Sequence, residues 1–523
     1  MRVPGSGGAA GKRKGRIEVN FATRRFFIGG LAAAGATAPF PILHASPAAR
    51  RGKPKIRFGA FTDVHLAFAG TRFVQHFDPP VVRHALEWFR DQGVDAVLCG
   101  GDIADRSQVD EMQAFADAWF SVFPDDRRPD GSRVERVFVT GNHDAHGHRI
   151  YKGLPRIWPD PDELKRHIFN DRRAEMWKSI FHEDYREIFM KDVKGYRFIG
   201  SMWDDGPDGN SGYRGFGRIR DFMDANGADL DPKLPFFYIQ HPHPKDTCYG
   251  AWAWGHDNGE VTAALSRFPN AVAFSGHSHY AISDDRAIWQ GAFTSIGLGS
   301  LRYGSHTGLE FPAEGFESTR SYGKDSAAVD AKKFARMSVG HSARNGMLVS
   351  VYGDCIVYSR RDFIADAPIG DDWVQPLPAS ESKPFAFADH ALRTKPPRFA
   401  KGAKLSARRT RATNRGGEEK DAIEISIPPV DEPSRGRIYH FEVVAGKKGT
   451  EKRVKRVLAS GYNVAGSSPL AAELTKCVFA VDELPTPDAS FAAVPVGFFG
   501  ARGEPLVLRG RDISQTEDER KRT

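Results

Sequence analysis

At 523 residues, with 40% hydrophobic and 27% charged content, the chain has the make-up of a soluble globular protein long enough for two or three domains with substantial cores. Its formal net charge of +8 suggests a polyanion partner only until it is localised. Residues 1–53 carry ten Lys/Arg against one acid, residues 378–523 carry 26 against 19, and the stretch between them is left at −8. An acidic centre argues against nucleic acid as the partner of the chain's chemistry, and the basic C-terminal third reads as a solvated face. Cys99, Cys248, Cys355 and Cys477 are far apart and form no CxxC pair, which excludes a zinc ribbon or a disulfide scaffold and leaves a single bridge open.

Taken in chain order, Thr23-Arg24-Arg25-Phe26-Phe27-Ile28 leads into Gly29-Gly30-Leu31-Ala32-Ala33-Ala34-Gly35-Ala36. A basic start, paired arginines, a short weakly apolar run and then small residues resemble a twin-arginine export signal, the alternative being a plain basic tail. The run is too short and too rich in Gly and Ala for a stable membrane span. Small residues precede a cut after Ala38 or after Ala48, and we set the signal at residues 1–48. That makes the twin-arginine machinery a partner and the mature protein periplasmic or extracellular. Export in the folded state suits an enzyme that acquires metal before it leaves the cytoplasm.

Lys55–Thr62 reads as a strand, Val81–Arg90 as a helix with Val82, Ala85, Leu86 and Phe89 on one face, and Asp95–Cys99 as a buried strand. A second amphipathic helix over 110–123 and a strand over Val134–Val139 complete a βαβαβ pattern, hence a largely parallel sheet with helices on its faces. Runs at 196–201, 235–240 and 271–275 read as further strands, 303–340 as a long loop or lid, and 347–352 with 355–358 as a hairpin around Gly353-Asp354. Proline-rich runs mark a linker at 376–397. Beyond it, short strands at 422–427, 438–444, 476–482 and 491–499 suit a small all-β sandwich. The domains expected are a catalytic α/β unit at 54–375, the linker, the sandwich at 398–512 and a tail at 513–523.

Five predicted strands end in potential metal ligands: Asp63-Val64-His65, Gly101-Asp102, Gly141-Asn142-His143-Asp144, His241-Pro242-His243 and Gly276-His277-Ser278-His279. In an open α/β sheet the carboxyl ends of the strands converge on one crevice. An assembly of carboxylate, imidazole and amide donors suits Zn, Mn or Fe rather than a thiolate metal. In this order the blocks resemble the calcineurin-like metallophosphoesterase superfamily, by motif over about 54–300 and by pattern to 365.

The resemblance implies a β-sheet core flanked by helices and two metal ions. Asp63, His65, Asp102 and His279 would hold one ion, and Asp102 would bridge to a second held with Asn142, His241 and His277. Two such cations would stabilise a bridging hydroxide that attacks phosphorus; His143, next to a ligand but with no ligand role in the pattern, is placed as general acid, with Asp144 to orient its ring. Stacking on substrate or holding phosphate are the other roles open to His143. His146, His148 and His243 read as outer or solvent-facing residues. Trp252, Trp254 and His256 are candidate substrate walls, with packing as the alternative for the tryptophans. Asp105 stands where purple acid phosphatases carry a ligating tyrosine, so a tyrosinate–iron site is not expected.

The expectation is therefore an exported, metal-dependent phosphoester hydrolase. Alternatives are a cyclic-nucleotide or other phosphodiesterase of the same superfamily, or an envelope binding protein whose metal domain is not catalytic. If Arg24 and Arg25 form the signal, replacing both with Lys should trap an active precursor in the cytoplasm, as read by fractionation. Unchanged secretion of the double variant would refute the assignment.

Overall fold

A computed structural model describes residues 52–513, excepting 70–71, 74–77, 204–215, 251–254, 303, 305–343, 414–418, 448–451, 461 and 463. The expected signal at 1–48, Trp252, Trp254, nearly all of the expected loop at 303–340 and the tail from 514 lie outside the described residues.

The first elements follow the sequence periodicity: β1 (Ile56–Phe61), α1 (Asp78–Asp91), β2 (Ala96–Cys99), α2 (Val109–Val122), β3 (Glu135–Phe138) and α3 (Asn142–Ile150). β1, β2 and β3 pair in parallel. They are buried along nearly their whole length, so they read as apolar runs and not as alternations. After three short helices, Leu154–Ile157, Pro161–His167 and Arg173–Phe181, come β4 (Ile188–Val193), β5 (Tyr196–Ser201), α4 (Phe216–Asn226), β6 (Phe236–Ile239), α5 (Glu260–Leu265), β7 (Ala271–Ser275), β8 (Ile288–Gln290) and β9 (Thr294–Gly297). Then come β10 (Asn345–Val351), β11 (Cys355–Asp362), β12 (Ala367–Pro368) and β13 (Trp373–Pro376), the first two being the expected hairpin.

Where one largely parallel sheet was expected, the described residues form two mixed sheets. One runs β12-β11-β10-β1-β2-β3 with β13 also on β11, and the other runs β8-β9-β7-β6-β5-β4. The side-chain period of two explains the split. Phe58 of β1 meets Phe198, Phe237 and Phe274 of the second sheet at centroid distances of 5.1, 4.6 and 5.8 Å. Phe61, on the other face of β1, meets Phe89 of α1 and Phe115 of α2 at 6.0 and 6.2 Å. In the second sheet Tyr238 and Ala273 share a separate cluster with Ile219 and Met223 of α4 and Val261 and Leu265 of α5. The result is helix, sheet, sheet, helix. A strand apolar on both faces is satisfied by a helix on one side and a sheet on the other.

α6 (Phe387–Arg393) precedes β14 (Ser406–Thr413), β15 (Glu419–Ile427), β16 (Ile438–Gly446), β17 (Arg453–Leu458), β18 (Thr475–Ala480), β19 (Ser490–Gly497) and β20 (Leu506–Leu508). These strands form two antiparallel sheets, β14-β15-β18 and β17-β16-β19-β20. Ile423, Ile425 and Phe479 of one pack with Phe441, Val443 and Phe491 of the other, so the expected sandwich is present. β14 and β17 escaped the sequence reading because Arg408, Arg409, Arg411, Arg453, Lys455 and Arg456 crowd them. The stretch expected as a linker contains α6 and the buried Phe385, whose N–H and C=O both bond Gln290, at 3.1 and 3.0 Å. All four cysteines are free and buried. No helix among the described residues is long and apolar enough to cross a membrane.

Candidate metal centre

β1, β2 and β3 deliver Asp63, His65, Asp102 and Asn142 from the first sheet, while β6 and β7 deliver His241, His277 and His279 from the second. The crevice therefore lies across the common edge of two packed sheets. Asn142, His143 and Asp144, expected to follow the third strand, form the first turn of α3.

Donor atoms from Asp63, His65, Asp102 and His279 all lie within 4.8 Å of one another, as do those from Asp102, His241 and His277. In the first group His279 Nε2 is 2.8 Å from Asp63 Oδ1 and 3.0 Å from His65 Nε2, which is itself 3.5 Å from Asp102 Oδ2. In the second, His241 Nε2 is 3.1 Å from the same Asp102 Oδ2 and 3.1 Å from Asn142 Oδ1. All seven residues singled out in the sequence are thus brought together, and Asp102 Oδ2 is common to both groups.

The far atom of several donors is held elsewhere. Asp63 Oδ2 accepts from the Thr62 hydroxyl at 2.8 Å and the His277 N–H at 3.0 Å, and Asp102 Oδ1 accepts from the His143 N–H at 2.7 Å. His241 Nδ1 faces the Gly100 carbonyl at 2.7 Å, and His65 Nδ1 faces Asp105 Oδ1 at 3.1 Å. A carbonyl or carboxylate can only accept, so in both rings Nδ1 carries a hydrogen and Nε2 is the atom that faces the cluster, open to a proton or a cation.

Burial alone would raise the Asp102 carboxyl, but the pull of His241 and His143 holds it below the usual carboxylate range. Asp63 is likewise held low against its burial, chiefly by His279. Burial disfavours a charge on His241, yet Asp102, with Asp63 beyond it, pushes its pKa up to about 9. The field that retains a proton there would also retain a cation, since the two compete for one lone pair. Ligands about 2.0–2.1 Å from one ion lie roughly 2.9–3.4 Å apart at octahedral to tetrahedral angles. The contacts of 2.8, 3.0, 3.1 and 3.5 Å fall in or close to that range. The donor set therefore fits divalent ions of the Zn, Mn or Fe type.

Asp63, His65, Asp102, His277 and His279 all have positive φ, between 47° and 70°. This left-handed conformation costs a non-glycine residue about 1–3 kcal/mol when it is imposed by the fold, and it concentrates at functional sites. The glycines beside the ligands leave room for it. A Cβ on Gly141 would lie 2.3 Å from Asp102 Oδ1, and one on Gly276 would lie 2.2 Å from Asp63 Oδ2.

One expectation is corrected. Asp144 does not orient His143; its buried carboxylate accepts the backbone N–H groups of Gly141, Ala104 and Ile103 at 2.8, 2.7 and 3.3 Å. It ties the start of α3 to the loop after β2. Burial, with the Asp102 charge nearby, pushes its pKa up to about 7. His143 Nδ1 instead faces the Asp105 main-chain oxygen at 2.7 Å, with the Asp105 carboxylate 3.7 Å away.

Asp105 therefore touches both His65 and His143, and the sequence reading had noted it only as a departure from the tyrosine pattern. Trp203, also passed over, sets its ring 5.8 Å from that of His241 and 5.7 Å from that of His277. Its signal was available, because it stands two residues past a predicted strand. His243 is buried behind the cluster between the hydroxyls of Ser275 and Ser278 at 2.7 and 2.6 Å. His146 packs edge-on against Trp203 at 6.1 Å, and His148 is half-buried. His256 faces the Cys248 carbonyl at 3.2 Å.

Residues 56–281 match the family model of the calcineurin-like phosphoesterases, and all seven cluster residues fall within that stretch. No curated protein matches the chain. Among solved structures, a dimetal phosphatase from Danio rerio is 13% identical over 62% of this chain and 99% of its own, with a TM-score of 0.35. A purple acid phosphatase from yellow lupin (Lupinus luteus) seeds is 13% identical over 63% of this chain and 55% of its own, also at 0.35. At these identities and scores neither bears on what this chain does.

Because a Cβ at residue 276 would lie 2.2 Å from both Asp63 Oδ2 and the Thr62 hydroxyl bonded to it, Gly276→Ala should displace that carboxylate while leaving the sheets intact. The expected result is at least about a tenfold loss of divalent-metal affinity by calorimetric titration, with an unchanged far-ultraviolet spectrum. Wild-type affinity in this variant would contradict the close approach described.

Proposed function

We propose that the protein is an exported, metal-dependent phosphoester hydrolase acting on phosphomonoesters or phosphodiesters, periplasmic or extracellular, with the catalytic unit at 54–375 and the sandwich at 398–512. One observation carries the reading: a single carboxylate oxygen, Asp102 Oδ2, stands 3.5 Å from His65 Nε2 in one donor group and 3.1 Å from His241 Nε2 in the other. One group of ligands would be Asp63, His65, Asp102 and His279, the other Asp102, Asn142, His241 and His277. When bound, a pair of cations supplies Lewis-acid polarisation of phosphoryl oxygens and a water acidified toward neutrality.

The chain's own residues do the rest. His65 and His241 are locked in the tautomer that offers Nε2, and Asp102 is turned by the His143 N–H so that Oδ2 faces both groups. Neutral Asn142 adds a donor without adding charge. His143 has Nδ1 committed to the Asp105 carbonyl, leaving Nε2 to give a proton to the departing oxygen. It is about one-fifth exposed, so a substrate can reach it. Trp203 is placed to pack against whatever sits over His241 and His277.

Two outcomes test this. Asp102→Ala should abolish phosphoester hydrolysis and lower metal content at both sites, measured by elemental analysis beside a nitrophenyl ester assay; near-normal turnover would sink the shared-carboxylate reading.

His143→Ala should retain its metals and lose more kcat on an alkyl ester than on its nitrophenyl analogue. An alkoxide needs a proton to leave and a nitrophenolate does not, and general acid catalysis contributes about 10²–10⁴-fold. Equal losses on both esters, with metals intact, would assign His143 to binding phosphate or placing substrate.

A further inference from the structure

The loop that carries His279 is gripped by the C-terminal sandwich. Two residues on, Ala281 is fully buried in a cluster with Tyr439, Tyr462 and Phe498. Tyr439 lies on β16, Tyr462 in the loop after β17, and Phe498 just past β19. The three rings pack on one another at centroid distances of 5.6, 5.7 and 6.4 Å. The aromatic cup thus belongs to the sandwich, and Ala281 is the small residue seated in it.

The same loop is held again five residues later. Arg286, buried and paired with Asp284 Oδ2 at 2.8 Å, places its guanidinium 5.0 Å from the Tyr439 ring centroid. From the catalytic side, the Tyr249 hydroxyl donates to the carbonyls of Tyr280 and Ala281 at 3.1 and 3.4 Å, and the Tyr249 N–H donates to Arg286 O at 2.7 Å. Arg360 Nη1 donates to Ile282 O at 3.3 Å. The sandwich is itself docked nearby, where the buried Asp362 at the end of β11 accepts the Ala465 N–H at 3.0 Å.

His277 and His279 hold φ of 70° and 54°. Backbone in this region persists only where the surroundings over-determine it. Without the cup, the segment after His279 would keep its hydrogen bonds to Tyr249 and Arg360 but lose the packing that stops Ala281 from moving outward.

We infer that the C-terminal sandwich is a positioning element of the metal centre. Tyr439, Tyr462 and Phe498 hold Ala281, and through it His279, where it closes the group formed with Asp63, His65 and Asp102. The inference rests on reading that group as a metal site, and it lies beyond the family match, which ends at residue 281 and contains none of the three aromatic residues.

The test uses the full-length protein. Tyr462→Ala opens the cup, and Tyr462→Phe keeps its ring. Phe479→Ala is the control, since Phe479 is equally buried but packs in the sandwich's own core. Deuterium uptake by peptides spanning 276–287 is measured in metal-free protein, and Co²⁺ binding is followed by titration with visible absorption. Tyr462→Ala should raise uptake in 276–287 and weaken one of two Co²⁺ equivalents by at least about tenfold. Tyr462→Phe, which keeps the ring and gives up only the hydroxyl beside the Ala281 backbone, should lie closer to wild type than Tyr462→Ala in both, and Phe479→Ala, although destabilising, should change neither. If Tyr462→Ala does not fold, Phe498→Leu is measured in the same way. Wild-type uptake in the cup variant, or an equal rise in Phe479→Ala, would overturn the inference. A wild-type protein that takes up no Co²⁺ would overturn the metal reading instead, and the exchange of 276–287 would still decide the clamp.

Discussion

Five residues of the cluster, Asp63, His65, Asp102, His277 and His279, sit in left-handed backbone, and much of the surrounding structure answers to that constraint. A strand that simply ran on would send alternate side chains to opposite faces. A left-handed residue at the strand end turns the chain sharply, so that Asp63 and His65, or His277 and His279, both reach one point. Asp and His tolerate this region better than bulkier residues do, and they are also the donors the cluster uses. The cost must be offset elsewhere. The candidates are the parallel pairing behind each strand end, the glycines that let neighbouring loops approach, and the backbone bonds from Asp63 N–H to Gly101 and from His65 N–H to Asp102.

The second constraint is electrostatic. Asp63 and Asp102 are fully buried carboxylates that remain ionised because imidazoles surround them. Such a group costs several kcal/mol to desolvate unless it is paired. Here the partners are imidazole Nε2 atoms at 2.8–3.5 Å, which pair with a carboxylate only through a proton or a cation held between them. The acidic balance of the central segment belongs to the same picture. Three of its acids, Asp63, Asp102 and Asp105, gather at the cluster, where bound cations would offset their charge.

Much of this was legible in the sequence because strand-end ligands need no tertiary information to be recognised. An apolar run followed by Asp-x-His or Gly-His-x-His fixes both the element and the direction of its donors. The sheet count was not legible. A strand buried by a second sheet carries the same apolar run as one buried by a helix, and nothing in Phe236–Ile239 tells which layer covers it. The partner of His143 was missed for a related reason. Asp144 is adjacent in sequence, but at the third position of α3 its carboxylate is drawn to the Gly141 N–H at the helix start and to the Ile103 and Ala104 N–H groups of the loop after β2. Asp105, three residues past Asp102 on another loop, reaches the imidazole through its main-chain oxygen. Sequence proximity favoured the wrong aspartate because helix capping was competing for it.

Asp105 also shows how one position can change the character of such a centre. A tyrosine there could donate a phenolate directly to a metal. The shorter aspartate stops at His65 Nδ1, 3.1 Å away, and acts on the cluster through that ring. Burial would raise its carboxyl, but the hydrogen bond and charge of His65, with His143 and Arg302 nearby, hold it low, so it remains an acceptor. It therefore fixes the tautomer of His65 and reaches His143 through its backbone carbonyl. A direct ligand has been exchanged for a residue that orients two imidazoles, one facing the cluster and one facing the position proposed for the leaving group. In that arrangement the placement of the cluster-side imidazole and that of the proposed proton donor depend on the same loop, so a shift of the backbone at 102–105 would disturb both together.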